Sequence, residues 1–251
     1  MDLPSFFQQH PKGALALSGG VDSALLAWAA GRWGNGWRAY FARTAFQPAH
    51  ELESARSLAD FCGLPLTVLE VDVLAEPEVA ANPPRRCYHC KRALFSAIQA
   101  AAERDGLSLI ADGTNASDDS GDRPGMAALT ELGVRSPLRE CGLTKADVRR
   151  LSREAGLPTW DKPAYACLAT RVPTGTALTP KVLERVELGE AALTDLGFRD
   201  FRLRLRESGA LLQVTQAQLS LALEKREEIL ERLTPLFAEI HLDLKARTPS
   251  E

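Results

Sequence analysis

Strand-like and helix-like stretches alternate along the chain as far as Ala155, and this alternation constrains the fold more than any other feature. Helices separate the apolar runs, which is the order that gives parallel strands covered on both faces. The runs cover Ala14–Ser18, Trp37–Arg43, Leu66–Val71, Leu107–Ala111 and Val134–Leu138, and the helical stretches cover Val21–Arg32, His50–Cys62, Cys90–Arg104 and Thr144–Ala155. Gly63 should end one of these helices and Thr144 should cap another. The sequence therefore predicts an α/β fold with a parallel sheet.

The regular alternation of strand-like and helix-like stretches ends after Gly156, which indicates a second domain. Leu157–Thr179 is rich in proline and reads as loop. A helix, two strands, a helix and a last strand are predicted at Pro180–Leu196, Phe201–Arg206, Leu211–Thr215, Gln216–Arg232 and Ile240–Leu244. We therefore expect a larger domain over residues 1–160 and a smaller α+β domain over residues 161–251.

Composition excludes several classes of protein. The 251 residues carry a net charge of -3, so nothing indicates a general affinity for nucleic acid or for anionic membranes. No stretch approaches the roughly 20 apolar residues of a membrane span, and the start of the chain lacks the features of a secretory signal. We expect a cytoplasmic protein. Its five cysteines are then buried, catalytic or metal-binding rather than a disulfide framework.

The stretch SGGVDS, from Ser18 to Ser23, follows the first predicted strand and opens the first long predicted helix. Gly19 and Gly20 allow close approach to backbone N–H groups at the helix start, and the two serine hydroxyls add donors, which is the geometry of a phosphate site. Asp22 would repel phosphate unless a divalent cation lay between them, so it implies Mg²⁺. A tight turn before a capped helix is the alternative explanation. The Walker pattern is absent.

SGGVDS resembles the PP-loop of the ATP pyrophosphatase superfamily, whose members cleave ATP between the α and β phosphates. Three further stretches narrow the resemblance: NPPRRCYHCK at 82–91, ADGTNASDDSGDRPG at 111–125 with RSPL at 135–138, and KPAYACLATRVPTGTALT at 162–179. In this order, and over nearly the whole chain, they are similar to the LarE family. These are ATP-dependent sulfur transferases of nickel-pincer nucleotide cofactor biosynthesis.

The resemblance implies a fold, a reaction and partners. The first domain would be a PP-loop domain of the adenine nucleotide alpha hydrolase-like type. The enzyme would use ATP to activate a carboxylate of pyridinium-3,5-biscarboxylic acid mononucleotide, release pyrophosphate, and put sulfur in place of oxygen. In the sacrificial form of the family, a cysteine of the enzyme gives the sulfur and ends as dehydroalanine. The resemblance also suggests a homo-oligomer, whereas the composition is the reason to expect no membrane or nucleic-acid partner.

Cys167 matches the sulfur-donating cysteine of that family by its place in the third stretch. A thiolate, not a thiol, attacks an acyl-adenylate, and Arg171 or Lys162 could favour the thiolate and bind the phosphate of the substrate. The alternative is a small buried cysteine. The proline-rich loop and its charged residues favour the catalytic interpretation.

Cys87 and Cys90 form a C-x-x-C pair, with His89 between them. No second pair completes a zinc site. With Cys167 they could hold a [4Fe–4S] cluster that leaves one iron open for a sulfide, as the resemblance suggests for some members. Cys62 and Cys141 are interpreted as structural.

The resemblance also implies nucleotide contacts. Asp112, Gly113, Thr114 and Asn115 follow a predicted strand and would line the adenine and ribose site, although DGTN is also good turn chemistry. Arg43 and Thr44 end the second predicted strand and would contact the nucleotide. A group of charged residues after the DGTN stretch either positions Mg²⁺ or substrate or forms a solvated loop: Asp118, Asp119, Asp122 and Arg123.

Arginines on one predicted strand of the second domain form a candidate substrate site. Arg202, Arg204 and Arg206 have a period of two and so share one face, where they suit phosphate and carboxylates. A solvated strand face is the alternative. Glu187 or Glu190, on the preceding predicted helix, could belong to the same site, and Arg247 matches the arginine of the family's C-terminal strand by resemblance. Two residues, Leu211 and Gln213, depart from the arginine and glutamate that the family tends to have.

Three other functions compete with this interpretation. A tRNA thiolase also pairs a PP-loop with cysteines, but it needs a basic surface, for which only the strip at 199–206 qualifies. A regulator that binds nucleotide without catalysis would have lost the sulfur cysteine. An amide-forming ligase usually comes with an ammonia-generating domain, and no part of the sequence suggests one.

Overall fold

The structure is a computed structural model that describes residues 1–118 and 124–248. The chain divides into two compact units, each drawn from separate segments. The first contains Met1–Thr44, Ala49–Val79 and Arg85–Lys162, and the second contains Ala45–Pro48, Ala80–Pro84 and Pro163–Glu251. Within the described ranges, no helix has the length and apolar character that a bilayer span requires.

The first unit is built on a parallel sheet, as predicted. Its strands are β1 (Lys12–Ala16), β2 (Gly36–Arg43), β3 (Leu66–Glu70) and β4 (Ile110–Ala111), in the order β3-β2-β1-β4. All neighbours pair in parallel. Because parallel strands have their carboxyl ends at one edge, the residues that follow β1, β2 and β4 lie at the edge where open α/β sheets bind ligands.

Helices cover both faces of this sheet. The helices are α1 (Leu3–Gln9), α2 (Val21–Trp33), α3 (His50–Cys62), α4 (Pro77–Ala80), α5 (Arg86–Arg104), α6 (Pro124–Glu131), α7 (Pro137–Glu140) and α8 (Lys145–Glu154). Leu15 and Phe41 pack into a core with Leu25 and Leu26 of α2 on one face of the sheet. Ala14 and Tyr40, which are adjacent to them in the strands, pack with Phe95 and Ile98 of α5 on the other face. This alternation along each strand is expected when both faces are buried.

The predicted fifth strand at Val134–Leu138 is wrong. Arg135 makes only a single parallel bridge to Ala111, and α7 begins two residues later. Pro137 explains the difference, because proline lacks the N–H that a ladder needs and is well suited to the first turn of a helix. β4 is likewise shorter than the predicted strand.

The second unit is a small α+β structure, as predicted. Its mixed sheet has the order β5 (Arg202–Leu205), β6 (Gly209–Gln213) and β7 (Glu239–Leu242), with β5–β6 antiparallel and β6–β7 parallel. The helices are α9 (Pro180–Asp195), α10 (Leu219–Glu224) and α11 (Arg226–Leu233). The single helix predicted over Gln216–Arg232 is wrong, because it begins as a 3₁₀ turn and is interrupted at Lys225.

Candidate active site

The SGGVDS loop lies between β1 and α2 at the carboxyl edge of the sheet. Ser23 Oγ accepts a hydrogen bond from the backbone N–H of Ser18 at 3.2 Å and donates to the carbonyl of Gly20 at 3.1 Å, and the two serine hydroxyls lie 3.1 Å apart. Gly19 has a φ of 75°, in the left-handed region that favours glycine. Gly20 is the N-cap and gives no side-chain cap to α2. The first N–H groups of α2 therefore have no capping oxygen from their own N-cap residue, which suits an anion.

Asp22, the second residue of α2, has both carboxylate oxygens engaged. Asn115 Nδ2 donates to Oδ1 at 3.1 Å, and the ammonium of Lys145 donates to Oδ2 at 2.6 Å. The structure thus brings together two predicted residues from distant parts of the chain, Asp22 and Asn115. Carboxylate oxygen is the ligand that Mg²⁺ prefers, and the cation that Asp22 holds in this structure is an ammonium.

The stretch Asp112–Asn115 follows β4 and packs directly against the start of α2. A Cβ on Gly113 would lie 2.8 Å from the backbone nitrogen of Ser23, so only glycine allows this approach. The carboxylate of Asp112 accepts hydrogen bonds from the backbone and hydroxyl of Thr114, and from Ser136 Oγ at 2.7 Å. The residues that are predicted to bind nucleotide therefore form one hydrogen-bonded loop beside SGGVDS.

Lys162 also reaches the SGGVDS loop, where its ammonium donates to the carbonyl of Gly19 at 3.0 Å. The carboxyl of Glu51 is buried on the first turn of α3, and burial raises its pKa, an effect that the nearby charge of Lys162 opposes. Lys162, which the sequence predicts to bind substrate, thus stabilises the SGGVDS loop through this hydrogen bond.

Two other predicted groups have local partners. Arg43 ends β2, and its guanidinium pairs with Glu70 at 3.2 Å on an exposed surface. Asp118 accepts a hydrogen bond from the backbone N–H of Asn115 at 3.0 Å. Three residues predicted to position Mg²⁺ or substrate lie outside the described residues: Asp119, Asp122 and Arg123.

Cys87 and Cys90 lie one turn apart on α5, so they share a face of that helix. Cys87 is exposed, and its sulfur accepts a hydrogen bond from Arg86 at 3.4 Å. Among residues 1–118 and 124–248, no three His, Cys, Asp or Glu side chains form a group that could hold a metal ion. Helix α5 therefore offers two thiol groups on one face, and the predicted three-cysteine cluster stays a prediction.

Cys167 belongs to the second unit and precedes a 3₁₀ turn at Leu168–Arg171. Arg171 is 1% exposed, and its guanidinium donates to the carbonyl of Ala166 at 2.9 Å. It also donates twice to Glu190, with Nε to Oε1 at 2.7 Å and a second N–H to Oε2 at 3.2 Å. Glu190 accepts two more hydrogen bonds, from Tyr165 at 2.9 Å and from the backbone of Leu203 at 3.1 Å. Arg171 and Glu190 thus anchor the cysteine loop to α9 and β5.

The arginines of β5 lie close to further positive charges of the second unit. Burial lowers the pKa of Arg202 to about 10, and the neighbouring Arg171 and Arg247 add to the effect, so Arg202 stays charged at neutral pH. Burial lowers the pKa of Arg204 as well, and Arg171 and Arg206 contribute. Guanidinium groups that repel one another in this way form a site that favours an anion.

Gln213, a departure from the family pattern, lies beside Arg204. It accepts a hydrogen bond from Arg204 Nε at 2.7 Å and donates one to Asp243 at 2.8 Å. As a neutral amide it leaves the charge of Arg204 available. Arg247 donates to the carbonyl of Asp200 at 2.6 Å and pairs with the Asp200 carboxylate. Arg206 is exposed and, in the part of the chain that the structure describes, makes no side-chain hydrogen bond.

Sequence reasoning missed three contributors to these sites: Lys145, Glu51 and Tyr165. Lys145 follows the cap residue Thr144, and a lysine at the start of a helix opposes the helix dipole, which was an available signal. Glu51 and Tyr165 carry no such signal in the sequence, because their contacts to the site residues arise only from tertiary packing.

The chain is similar to known proteins over most of its length. No protein-family model matches the chain. The pyridinium-3,5-bisthiocarboxylic acid mononucleotide synthase of Lactiplantibacillus plantarum is 32% identical over 92% of this chain and 84% of its own length. An uncharacterized protein of Synechocystis sp. is 37% identical over 87% of this chain and 82% of its own length. The tRNA-specific 2-thiouridylase MnmA of Azorhizobium caulinodans is 28% identical over 78% of this chain and 60% of its own length.

The matches to the mononucleotide synthase and to the Synechocystis protein cover so much of the chain that each includes parts of both compact units. The more distant match to thiouridylases agrees with the PP-loop architecture of the first unit. The chain therefore belongs to the LarE family of sulfur-transferring PP-loop enzymes.

Proposed function

We propose that the protein adenylates a carboxylate of pyridinium-3,5-biscarboxylic acid mononucleotide with ATP and converts it to a thiocarboxylate. The observation that carries the proposal is the SGGVDS loop, where Gly19 adopts left-handed backbone and Gly20 leaves the start of α2 open to an anion. The name of the Lactiplantibacillus plantarum relative supports this choice of substrate. We assign the ATP chemistry to the domain at 1–160 and sulfur transfer to the domain at 161–251.

In the first step, a carboxylate oxygen of the substrate attacks the α-phosphorus of ATP. The bond from that phosphorus to the bridging oxygen breaks, and pyrophosphate leaves with the electron pair. The loop from Ser18 to Ser23 would hold the pyrophosphate through N–H and hydroxyl donors, and Asp112–Asn115 would hold adenine and ribose. Mg²⁺ held by Asp22 would neutralise phosphate charge. Arg43 is placed at the same sheet edge.

In the second step, the thiolate of Cys167 attacks the acyl carbon and AMP leaves. Loss of the Cα proton of Cys167 then breaks its Cβ–S bond, which leaves sulfur on the product and dehydroalanine in the chain. Arg171 supports this role by holding the loop, since its guanidinium bonds to the carbonyl of Ala166 beside Cys167.

The proposed substrate carries a phosphate and two carboxylates, and the second unit contains arginines that could bind these anionic groups. Arg204 and Arg206 are the candidates for the phosphate, because Arg204 is paired with a neutral amide and Arg206 is exposed. Lys162, Glu190 and Arg247 are proposed to shape the site, and their contacts in the structure indicate support of loops and strands. We also propose a homo-oligomer, as the family resemblance implies.

A [4Fe–4S] cluster that carries the sulfur as sulfide is the second candidate source. Cys87 and Cys90 share a face of α5, so both sulfurs could bind the same metal ion or cluster. Two thiolates do not hold such a cluster, and the third ligand would have to be Cys167 of the other unit. Among the residues that the structure describes, no three potential metal ligands form a group that matches such a site.

Intact mass spectrometry tests the proposal. The protein is incubated with ATP, Mg²⁺ and the biscarboxylated nucleotide, with and without oxygen, and the small-molecule products are analysed in parallel. AMP, pyrophosphate, thiocarboxylate and loss of one H₂S at Cys167 support a sacrificial cysteine. Thiocarboxylate without loss of mass supports sulfide on a cluster. Release of ADP, or sulfur transfer to tRNA instead, contradicts the proposed function.

A further inference from the structure

We propose that Lys145 is the resident cation of the ATP site: it neutralises Asp22 before ATP binds and moves to the polyphosphate when Mg²⁺ takes the carboxylate. The inference rests on the proposed function, because it names a positioning residue for the same site. Lys145 was outside every predicted motif, and its place in the structure assigns it this role.

The contact between Lys145 and Asp22 is close and shielded. Nζ lies 2.6 Å from Oδ2, and the two side chains are only 17% and 24% exposed. Exposed pairs of this type contribute little because water screens them, whereas a shielded pair interacts more strongly. The contact joins residues that are 123 positions apart in the chain, so α2 and α8 are both fixed by it.

The position of Lys145 in α8 is unfavourable for the helix itself. It is the first residue after the cap Thr144, where the partial positive charge of the helix end repels a cation. Its backbone N–H is held by Ser117 Oγ at 3.0 Å, which fixes the start of the side chain beside the SGGVDS loop. The lysine is unfavourable for the helix, so we attribute its presence at this position to the contact with the Asp22 carboxylate.

A magnesium ion bound by Asp22 would compete with the ammonium for this carboxylate. Asn115 holds the other oxygen at 3.1 Å and can keep the carboxylate in place during the exchange. The displaced ammonium has a flexible four-carbon stem, and phosphate oxygens bound at the SGGVDS loop would be anions near it, since Asp22 belongs to that loop. The site then keeps a cation on Asp22 and gains a cation on the phosphates.

This exchange predicts opposite effects on two ligands when the ammonium is removed. A divalent ion alone should bind more tightly, because it no longer displaces Lys145. Pyrophosphate with Mg²⁺ should bind more weakly, because one charge-assisted hydrogen bond is lost. A lysine that only ties α8 to α2 would weaken both ligands or neither.

The test uses the full-length protein and Lys145→Gln, with Lys145→Arg as the variant that keeps a cation. Lys12→Gln is the matched control, because Lys12 is an exposed lysine of the same unit and starts β1. Mn²⁺ alone is titrated by electron paramagnetic resonance, and pyrophosphate is titrated by calorimetry in excess Mg²⁺. Thermal unfolding shows whether each variant is folded.

For Lys145→Gln we expect Mn²⁺ to bind several-fold more tightly and pyrophosphate about tenfold more weakly. Lys145→Arg should restore most of the pyrophosphate affinity, and Lys12→Gln should match the wild type. Equal affinities in Lys145→Gln and wild type, or a loss of both, overturn the inference while the proposed function stands. A wild-type protein that binds neither Mn²⁺ nor pyrophosphate contradicts both.

Discussion

The buried guanidinium of Arg171 is bound in bidentate fashion by the carboxylate of Glu190, with Nε to Oε1 at 2.7 Å and a second N–H to Oε2 at 3.2 Å. The ring of Tyr165 lies 4.8 Å from the guanidinium carbon and adds a cation–π contact. This pair joins the turn after Cys167 to helix α9. The geometry of the cysteine loop therefore depends on a charge pair that is almost completely buried.

Glu190→Gln should destabilise the second unit strongly. Arginine stays protonated in proteins, so the variant leaves a buried positive charge without its counter-ion, which costs about 3 kcal/mol of unfolding free energy. Urea denaturation followed by circular dichroism measures the loss. Glu154→Gln is the control, since Glu154 forms an exposed pair with Arg150 at 3.0 Å. A variant as stable as wild type would show that the pair contributes nothing.

Cys167→Ala should separate the two chemical steps. Because the ATP chemistry is assigned to the first unit, the variant should still form AMP and pyrophosphate at a rate within about twofold of wild type. Sulfur transfer should be lost, because no thiolate remains at the acyl carbon. Product analysis by mass spectrometry measures both steps.

Cys62→Ala is the control for that experiment, because Cys62 lies in α3 and is assigned a structural role. It should make thiocarboxylate as wild type does. If Cys167→Ala made the thiocarboxylate at the normal rate, the assignment of Cys167 as sulfur donor would be wrong.

The reactivity of the cysteines should depend on pH in a residue-specific way. Burial raises the pKa of Cys62 to about 11, so at pH 8 only about one molecule in a thousand carries the thiolate. Cys87 is exposed and should be alkylated by iodoacetamide much faster at that pH. Peptide mass mapping between pH 7 and pH 11 gives both rates. Equal rates at pH 8 would contradict the raised pKa of the partly buried Cys62.

The same shift affects stability. The folded state holds the Cys62 proton more tightly than the unfolded chain, in which the pKa is near 9.0. Its contribution to stability is therefore complete below about pH 9 and is lost as the pH rises toward 11. Cys62→Ala should lack this part of the alkaline decline in unfolding free energy.

Local signals in the sequence predicted most of the first unit. Helix α3 was predicted with its observed bounds, because Gly63 takes the left-handed conformation that ends a helix. Thr144 caps α8 and forms a capping box with Asp147. Lys225, which interrupts the predicted helix at 216–232, carried no such signal. It is a good helix former, so its residue type predicts no break.

The candidate site was predicted in part for similar reasons. The SGGVDS motif located Asp22, and DGTN located Asn115, because glycine and turn residues after strands are visible in a single sequence. Their mutual contact was not visible, and neither was the ammonium of Lys145 between them, since contacts over such separations depend on the sheet order. The ligand roles of all these residues stay predictions.

Gly113→Ala should weaken nucleotide binding. The added methyl group would lie 2.8 Å from the backbone nitrogen of Ser23, and backbone atoms of a packed helix cannot yield easily. The loop at 112–115 must then move away from α2, which breaks the bond from Asn115 to Asp22 and costs about 1–3 kcal/mol. Calorimetric titration with a non-hydrolysable ATP analogue in Mg²⁺ should show affinity reduced at least about tenfold.

Gly133→Asn is the control for this substitution. Gly133 has a φ of 64°, which asparagine tolerates, and a Cβ there would meet no atom within 4 Å. It should bind the analogue as wild type does, because the change leaves the contact between Gly113 and α2 intact. Normal affinity in Gly113→Ala would mean that the two loops need not touch for ATP to bind, and the pairing of SGGVDS with DGTN as one nucleotide site would then be wrong.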